Sequence, residues 1–227
     1  DADVRKNAAG YFHSLFLHDD GSLWGNGSNA DGQLGDGTKI NKTFPIKVLS
    51  SGVVDMDAGV GHSAFIKEDR SLWTMGSNKY GQLGIGNYSD QLNPVKVIEQ
   101  DVLFVDVGGF NTLFIKGDGS LWGMGKNEDG QLGLDEPEAI NTPIKIVSSG
   151  VIAASFGWNF LTFVKSDGSL WALGNNDWGQ LGNGTQIASS TPIKIESSGV
   201  ASVSAGGGHL LYIKDDGSLW GVGRNSA

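Results

Sequence analysis

The chain has 227 residues, among them 36 Gly, 5 Pro and no Cys, and its 16 basic and 25 acidic side chains leave a net charge of −9. Apolar residues make up 39% of it, enough to fill a core and too many for disorder, while the lack of cysteine excludes disulfide scaffolds, thiol nucleophiles and thiolate metal sites. The acidic balance without a basic cluster makes nucleic acid an unexpected partner, and no apolar run of eighteen residues offers a membrane helix.

Along the chain, one unit recurs. Trp24, Trp73, Trp122, Trp171 and Trp220 stand 49 residues apart, each in a segment close to Asp-Gly-Ser-Leu-Trp. A second segment, Gly-Gln-Leu-Gly, begins at Gly32, Gly81, Gly130 and Gly179 and is followed by Pro45, Pro94, Pro143 or Pro192. Five first halves therefore meet four second halves. In the second copy, residues 53–58 read as a strand, Gly59 interrupts it, and residues 62–67 alternate as a second strand. After a turn at Asp69, residues 72–76 read as a third strand, and residues 94–97 as a fourth beyond a long Gly-rich loop. The Asp-Gly pairs at Asp20, Asp118, Asp167 and Asp216 suit hairpin turns needing positive φ, and Arg70 in place of Gly predicts strain in that copy.

The second strand is apolar on both faces. Phe16, Phe65, Phe114, Phe163 and Tyr212 point one way, and Leu17, Ile66, Ile115, Val164 and Ile213 the other. A four-stranded unit of this length, buried on both faces, is a propeller blade stacked between neighbours. The fourth strand, with its Pro and Lys47, Lys96, Lys145 or Lys194, belongs at the outer edge, and the first strand lines a channel. The fold expected is all-β, a propeller of five blades in which the fifth, residues 200–223, lacks its outer strand; residues 1–227 form a single domain or propeller segment. Asp1, Ala2 and Asp3 are too few to supply the missing strand, so the expectation is a ring closed through its inner strands, against the rival of an open arc.

Gly59-x-x-His62-Ser63, Ser71-Leu72-Trp73, Gly76-Ser77-Asn78 and Gly81-Gln82-Leu83-Gly84 resemble the repeats of the regulator of chromosome condensation (RCC1-like) family, over essentially the whole chain. That resemblance implies the propeller fold. The family includes a nucleotide exchange factor, plant photoreceptors, bacterial surface proteins and a secreted β-lactamase inhibitor, so function does not travel with the fold. Together with the near-identical copies, the resemblance suggests a bacterial protein that is secreted or at the cell surface.

No catalytic constellation emerges. His13, His62 and His209 share a register with Asn111 and Phe160, which marks a structural position tying a strand start to a neighbouring loop. Asp20, Asp69, Asp118, Asp167 and Asp216 sit in separate turns around a ring, too dispersed for acid–base pairing. Asp57 and Asp106 lie on adjacent inner strands and read as solvated channel carboxylates, short of the six or more oxygens that calcium wants. No cofactor, metal site or catalytic residue is expected.

The copies differ at one end. The loops between first and second strands and between third and fourth strands share a face, and there the sequence places Tyr11, Phe12, Tyr80, Tyr88, Phe110, Trp158 and Trp178. Aromatics that do not recur from copy to copy, beside Lys79, Glu128, Asp129 and Asp177, have the composition of a recognition surface. Phe44 and Phe156 read instead as packing residues. The function expected is a non-enzymatic binding module that presents this aromatic face to a protein partner. Lectin-like recognition of carbohydrate is the alternative, with Trp158, Trp178 and Tyr80 stacking on sugar rings. Exchange of guanine nucleotide on a small GTPase is disfavoured, since the units carry no large insertion to act as a wedge and no tail is basic. The incomplete fifth blade offers a route to oligomers.

Overall fold

A computed structural model describes residues 3–225 of the chain; Asp1 and Ala2, two of the three residues weighed above as a missing strand, lie outside them. The chain forms nineteen strands in five antiparallel sheets and no helix among the described residues. Blade 1 comprises β1 (Val4–Ala9), β2 (His13–His18), β3 (Leu23–Gly27) and β4 (Lys42–Leu49). Blade 2 comprises β5 (Val53–Ala58), β6 (His62–Lys67), β7 (Leu72–Gly76) and β8 (Gln91–Ile98). Blade 3 comprises β9 (Val102–Gly108), β10 (Asn111–Lys116), β11 (Leu121–Lys126) and β12 (Ala139–Val147). Blade 4 comprises β13 (Val151–Phe156), β14 (Phe160–Lys165), β15 (Leu170–Gly174) and β16 (Ser189–Glu196). Blade 5 has three strands, β17 (Val200–Ala205), β18 (His209–Lys214) and β19 (Leu219–Gly223). Strand order is sequential in every sheet, so the first strand is innermost and the fourth outermost.

Local sequence explains the blade. At each hairpin the Asp side chain accepts the backbone N–H of a Ser two residues on, as Asp69 does from Ser71 at 3.0 Å. The Ser hydroxyl then accepts the indole N–H of the register Trp, 2.8 Å for Ser71 and Trp73. The same Ser hydroxyl donates to the turn carboxylate, and this bond holds the turn carboxyls, such as that of Asp69, below the ordinary range. Arg70 does adopt a positive φ, 63°, where the other copies place Gly. Each register Trp is bracketed rather than sunk in the core: Trp73 stacks on Phe65 at 6.2 Å, with the ammonium of Lys67 4.1 Å from its centroid. The outer-strand lysines complete the bracket, as Lys96 does at 5.5 Å from Trp73. Phe44, on β4, is exposed rather than packed in the core, a correction to its reading; Phe156 is buried.

The core lies between sheets. The forward face of each blade, toward the next in sequence, carries residues such as Leu15, Leu17 and Leu23, and these pack on the rear face of the following blade, there Val53, Met56, Phe65 and Met75. The same layers recur between blades 2 and 3, 3 and 4, and 4 and 5. Two polar ties accompany them. Ser63 donates its hydroxyl to the Gln33 carbonyl and so accepts from His13 Nε2 at 2.8 Å, and Thr112 does the same between Gln82 and His62. The His partner is thus a strand hydroxyl of the next blade, not a loop. Burial lowers His13 to a pKa of about 4 and His62 to about 3, which keeps both neutral.

The second tie runs along the channel. Asp57 accepts the N–H of Val107 at 2.7 Å, Asp106 that of Phe156 at 2.9 Å, and Ser155 Oγ that of Ala205 at 3.2 Å. Asp57 and Asp106 thus line the channel half-buried, each with one carboxylate oxygen tied to the next blade. Burial raises both above the ordinary carboxyl range, and their mutual repulsion adds to the rise at Asp106.

The ring does not close. Among the described residues no interface comparable to those between successive blades joins blade 5 to blade 1. Leu211, Ile213 and Leu219 are consequently 42%, 42% and 66% exposed, whereas Leu72 at the register of Leu219 is fully buried. The expectation of closure through inner strands is corrected: one forward face is left without a successor.

Two outcomes test this layout. Leu72→Ala should cost about 2 to 5 kcal/mol in chemical denaturation and Leu219→Ala under about 1 kcal/mol, and equal costs would contradict an open forward face. Asp106→Asn keeps the acceptor without the charge. Since the folded carboxyl holds its proton more tightly than the unfolded one, the native acid contributes stability at low pH that is lost as pH rises. The Asn variant's melting temperature should therefore gain on the native chain between about pH 4 and about pH 8, and a constant difference would contradict a raised carboxyl.

Candidate functional site: the aromatic loop end

The Gly-Gln-Leu-Gly segment builds a display frame. In blade 2 the buried Asn78 accepts the Leu83 N–H at 3.0 Å and donates to the Asn87 carbonyl, while Gln82 accepts the Tyr80 N–H at 2.9 Å. Asn29 with Gln33, Asn127 with Gln131 and Asn176 with Gln180 hold the other three loops in the same manner. The leucine plugs, Leu34, Leu83, Leu132 and Leu181, are buried beneath. Between these fixed struts one position varies: Asp31, Tyr80, Asp129 and Trp178. Burial and the nearby Asp90 raise the Asp31 carboxyl.

The first-to-second loops supply the other variable pairs. Their backbones are held alike, for Ser28 donates to Phe12 O, Ser77 to Gly61 O and Arg224 to Gly208 O. Tyr11 and Phe12 are exposed and meet edge to face at 4.5 Å. Across the channel mouth Tyr11 comes within 6.4 Å of the Trp158 ring, although the two belong to blades 1 and 4. A shallow depression of about 250 Å³ opens between them, lined by the glycines that end all five inner strands. Trp158 also borders an open groove of about 890 Å³ shared with Trp178, His209 and Arg224, where the Arg224 guanidinium lies 4.6 Å from the Trp178 ring.

The seven aromatics do not form one cluster. Tyr11, Phe12, Trp158 and Trp178 make a continuous exposed strip over the channel mouth and its blade 5 side. Tyr80 and Phe110 pair with each other at 5.0 Å and are only half-exposed, with Lys79 and Lys126 over the tyrosine at 5.4 and 6.0 Å. Much of their surface is spent on capping neighbouring blades. Tyr88 is exposed and apart from the rest. Residue reading missed Arg224 and His209, which border the strip, and the exposed aliphatics Ile40 and Ile187 on the third-to-fourth loops. Ile40 and Ile187 share a register with Ser89 and Glu138, so the signal that singled out the aromatics applied to them too.

Among the described residues no three His, Asp or Glu side chains gather as a metal site would require. What the strip can do is bury flat apolar surface against a partner.

A family model described as RCC1-like domain matches residues 1–227. Among solved structures, the chain is similar to human WBSCR16, with 23% identity and a TM-score of 0.86 over 98% of this chain and 62% of that one. It is also similar to a chain in the structure of Kap60 bound to yeast RCC1 (Prp20), at 22% identity and a TM-score of 0.85 over 97% of this chain and 56% of that one. A third likeness is to Prp20p from Saccharomyces cerevisiae, in a structure described with its binding properties to Gsp1p and histones: 22% identity, TM-score 0.82, 96% of this chain and 57% of that one. The chain thus spans less than two thirds of the length of each, and at these identities the likeness carries the fold alone.

Proposed function

The chain belongs to the RCC1-like domain family, and from that footing we propose that it is a non-enzymatic binding module whose aromatic loop end engages a protein partner. The observation that carries this reading is the approach of Tyr11 to Trp158 across the channel mouth, with Phe12 and Trp178 exposed beside them. Large apolar rings held on rigid loops lose little conformational entropy on binding and supply the anchors from which interface energy is built. Tyr88 and the Tyr80–Phe110 pair lie outside this strip and contribute at the periphery. One neighbour of the same fold, yeast Prp20, is described with protein partners in two structures, Kap60 in one case and Gsp1p and histones in the other, which supports protein binding as a use of this scaffold. The strip's composition does not repeat per blade, which favours one asymmetric partner over a sugar pocket in every blade.

The reading is tested by capture from extracts, with a glycan panel in parallel, comparing the native chain with a Trp158→Ala/Trp178→Ala variant of unchanged circular dichroism. Bound protein should fall at least about tenfold, the equivalent of about 1.4 kcal/mol. Equal capture by both forms would remove the function from this end, and loss of glycan rather than protein binding would establish the lectin-like alternative.

A further inference from the structure

One residue near the start of each inner strand stands outside the ladder. Arg5, Val54, Leu103, Ile152 and Ala201 each fall on a bulge between the first two pairs with the second strand, at the hairpin end of the channel. Between blades 1 and 2 the chain uses this position to fill the gap at the interface. Arg5 reaches across, and one guanidinium nitrogen donates to the Val53 and Val54 carbonyls at 3.1 and 3.2 Å, while Lys6 beside it pairs with Asp55. Between blades 3 and 4 all three charged groups give way to apolar ones: Leu103 stands at the register of Arg5, and Phe104 and Ala153 at those of Lys6 and Asp55. An open groove of about 620 Å³ results, with Leu103 and Ile152 exposed along it and Phe104 between them. The Val151 and Ile152 carbonyls occupy the registers of the two that Arg5 caps, and a leucine side chain has no donor to offer them.

The rim of the groove departs from the other copies as well. Asp101 holds a φ of 73° where the matching links have Gly52, Gly150 and Gly199. Gly117 stands where the other hairpins have Asp19, Glu68, Ser166 and Asp215, and any side chain there would run into the Asp101 carboxylate. A carboxylate held in a backbone conformation that favours glycine, beside a neighbour reduced to glycine to admit it, is a joint change at an end that otherwise repeats. Asp101 and Asp118 thus leave exposed carboxylates at the groove, whereas the ammonium of Lys116 lies over the Trp122 ring, 4.9 Å from its centroid.

We propose that this groove takes an arginine side chain from a segment of a partner protein, its stem along Leu103, Phe104 and Ile152 and its guanidinium on the Val151 and Ile152 carbonyls, as Arg5 lies between blades 1 and 2. Asp101 and Asp118 draw the charge in, and the apolar walls cover the stem. Lysine fits less well, because an ammonium is more strongly hydrated and leaves water less readily. The groove lies at the end opposite the aromatic strip and does not depend on it.

Panning a random-peptide display library on the 227-residue chain tests it. Enriched peptides should share an arginine, and a synthetic copy of one should lose at least about tenfold in affinity when that arginine becomes alanine, and part of that when it becomes lysine. Leu103→Arg gives blade 3 the residue that blade 1 already carries and fills the groove with the chain's own guanidinium. It should lower the affinity by at least the same factor with an unchanged melting curve, while Trp158→Ala/Trp178→Ala leaves binding intact. If Leu103→Arg perturbs the fold, Asp101→Gly with Gly117→Ser copies Gly150 and Ser166 of blade 4 and should weaken binding by removing a rim carboxylate. No enrichment, enriched peptides without arginine, or peptides that the Leu103→Arg chain holds as tightly as the native one would overturn the proposal. So would self-association abolished by Leu103→Arg, which would give the groove to a second copy.

Discussion

No blade of this protein can bury its own sheet, and everything else in the structure follows from that. Each sheet is apolar on both faces, so each depends on a successor to cover Leu, Ile or Val and on a predecessor to cover Phe and Met. The polar ties that cross the same interfaces, from His13 and His62 to strand hydroxyls and from Asp57, Asp106 and Ser155 to backbone N–H groups, act between blades and so fix register without adding exposed surface. Asp57 and Asp106 carry a cost in this role, since a carboxyl drawn out of water resists ionisation.

The same constraint divides the molecule into a constant part and a free part. Hairpins at one end are held by the recurring Asp, Ser and Trp relay and vary little. At the other end the Asn and Gln struts fix the loop backbone while leaving the side chain between them unconstrained, so the position can be Asp, Tyr or Trp without consequence for the blade. Side chains vary where packing makes no demand. Tyr11, Phe12, Trp158 and Trp178 exploit that freedom most fully, for each stays exposed where the Tyr80–Phe110 pair is half-buried.

Much of this was legible in the residues. The 49-residue spacing and the two-faced second strand specify blades, and β5, β6 and β7 begin and end where their alternation does. The fourth strand runs further than its Pro suggested, from Gln91 to Ile98, because Gly76 pairs with Gln91 past an irregular step in the ladder. Contacts between blades were the harder part. Asp57 finds its partner 50 residues away on a backbone N–H, which no side-chain pattern records, and so its tie to the next blade was not legible. The Tyr80–Phe110 pair spans two blades for the same reason, and its members read as free surface. Closure depends on the angle between successive blades, which repeated motifs leave open; only the exposure of Leu211, Ile213 and Leu219 reveals a face without a successor.

That stability passes from blade to blade is most directly measured by hydrogen exchange followed by mass spectrometry. Amides of β6, β10 and β14, covered on both sides, should exchange slowly and together. Those of β18 and β19, covered on one side only, should exchange well before them, in a separate opening. Equal protection of β18 and the three central strands would mean that blade 5 is sealed within the chain, and would contradict the account.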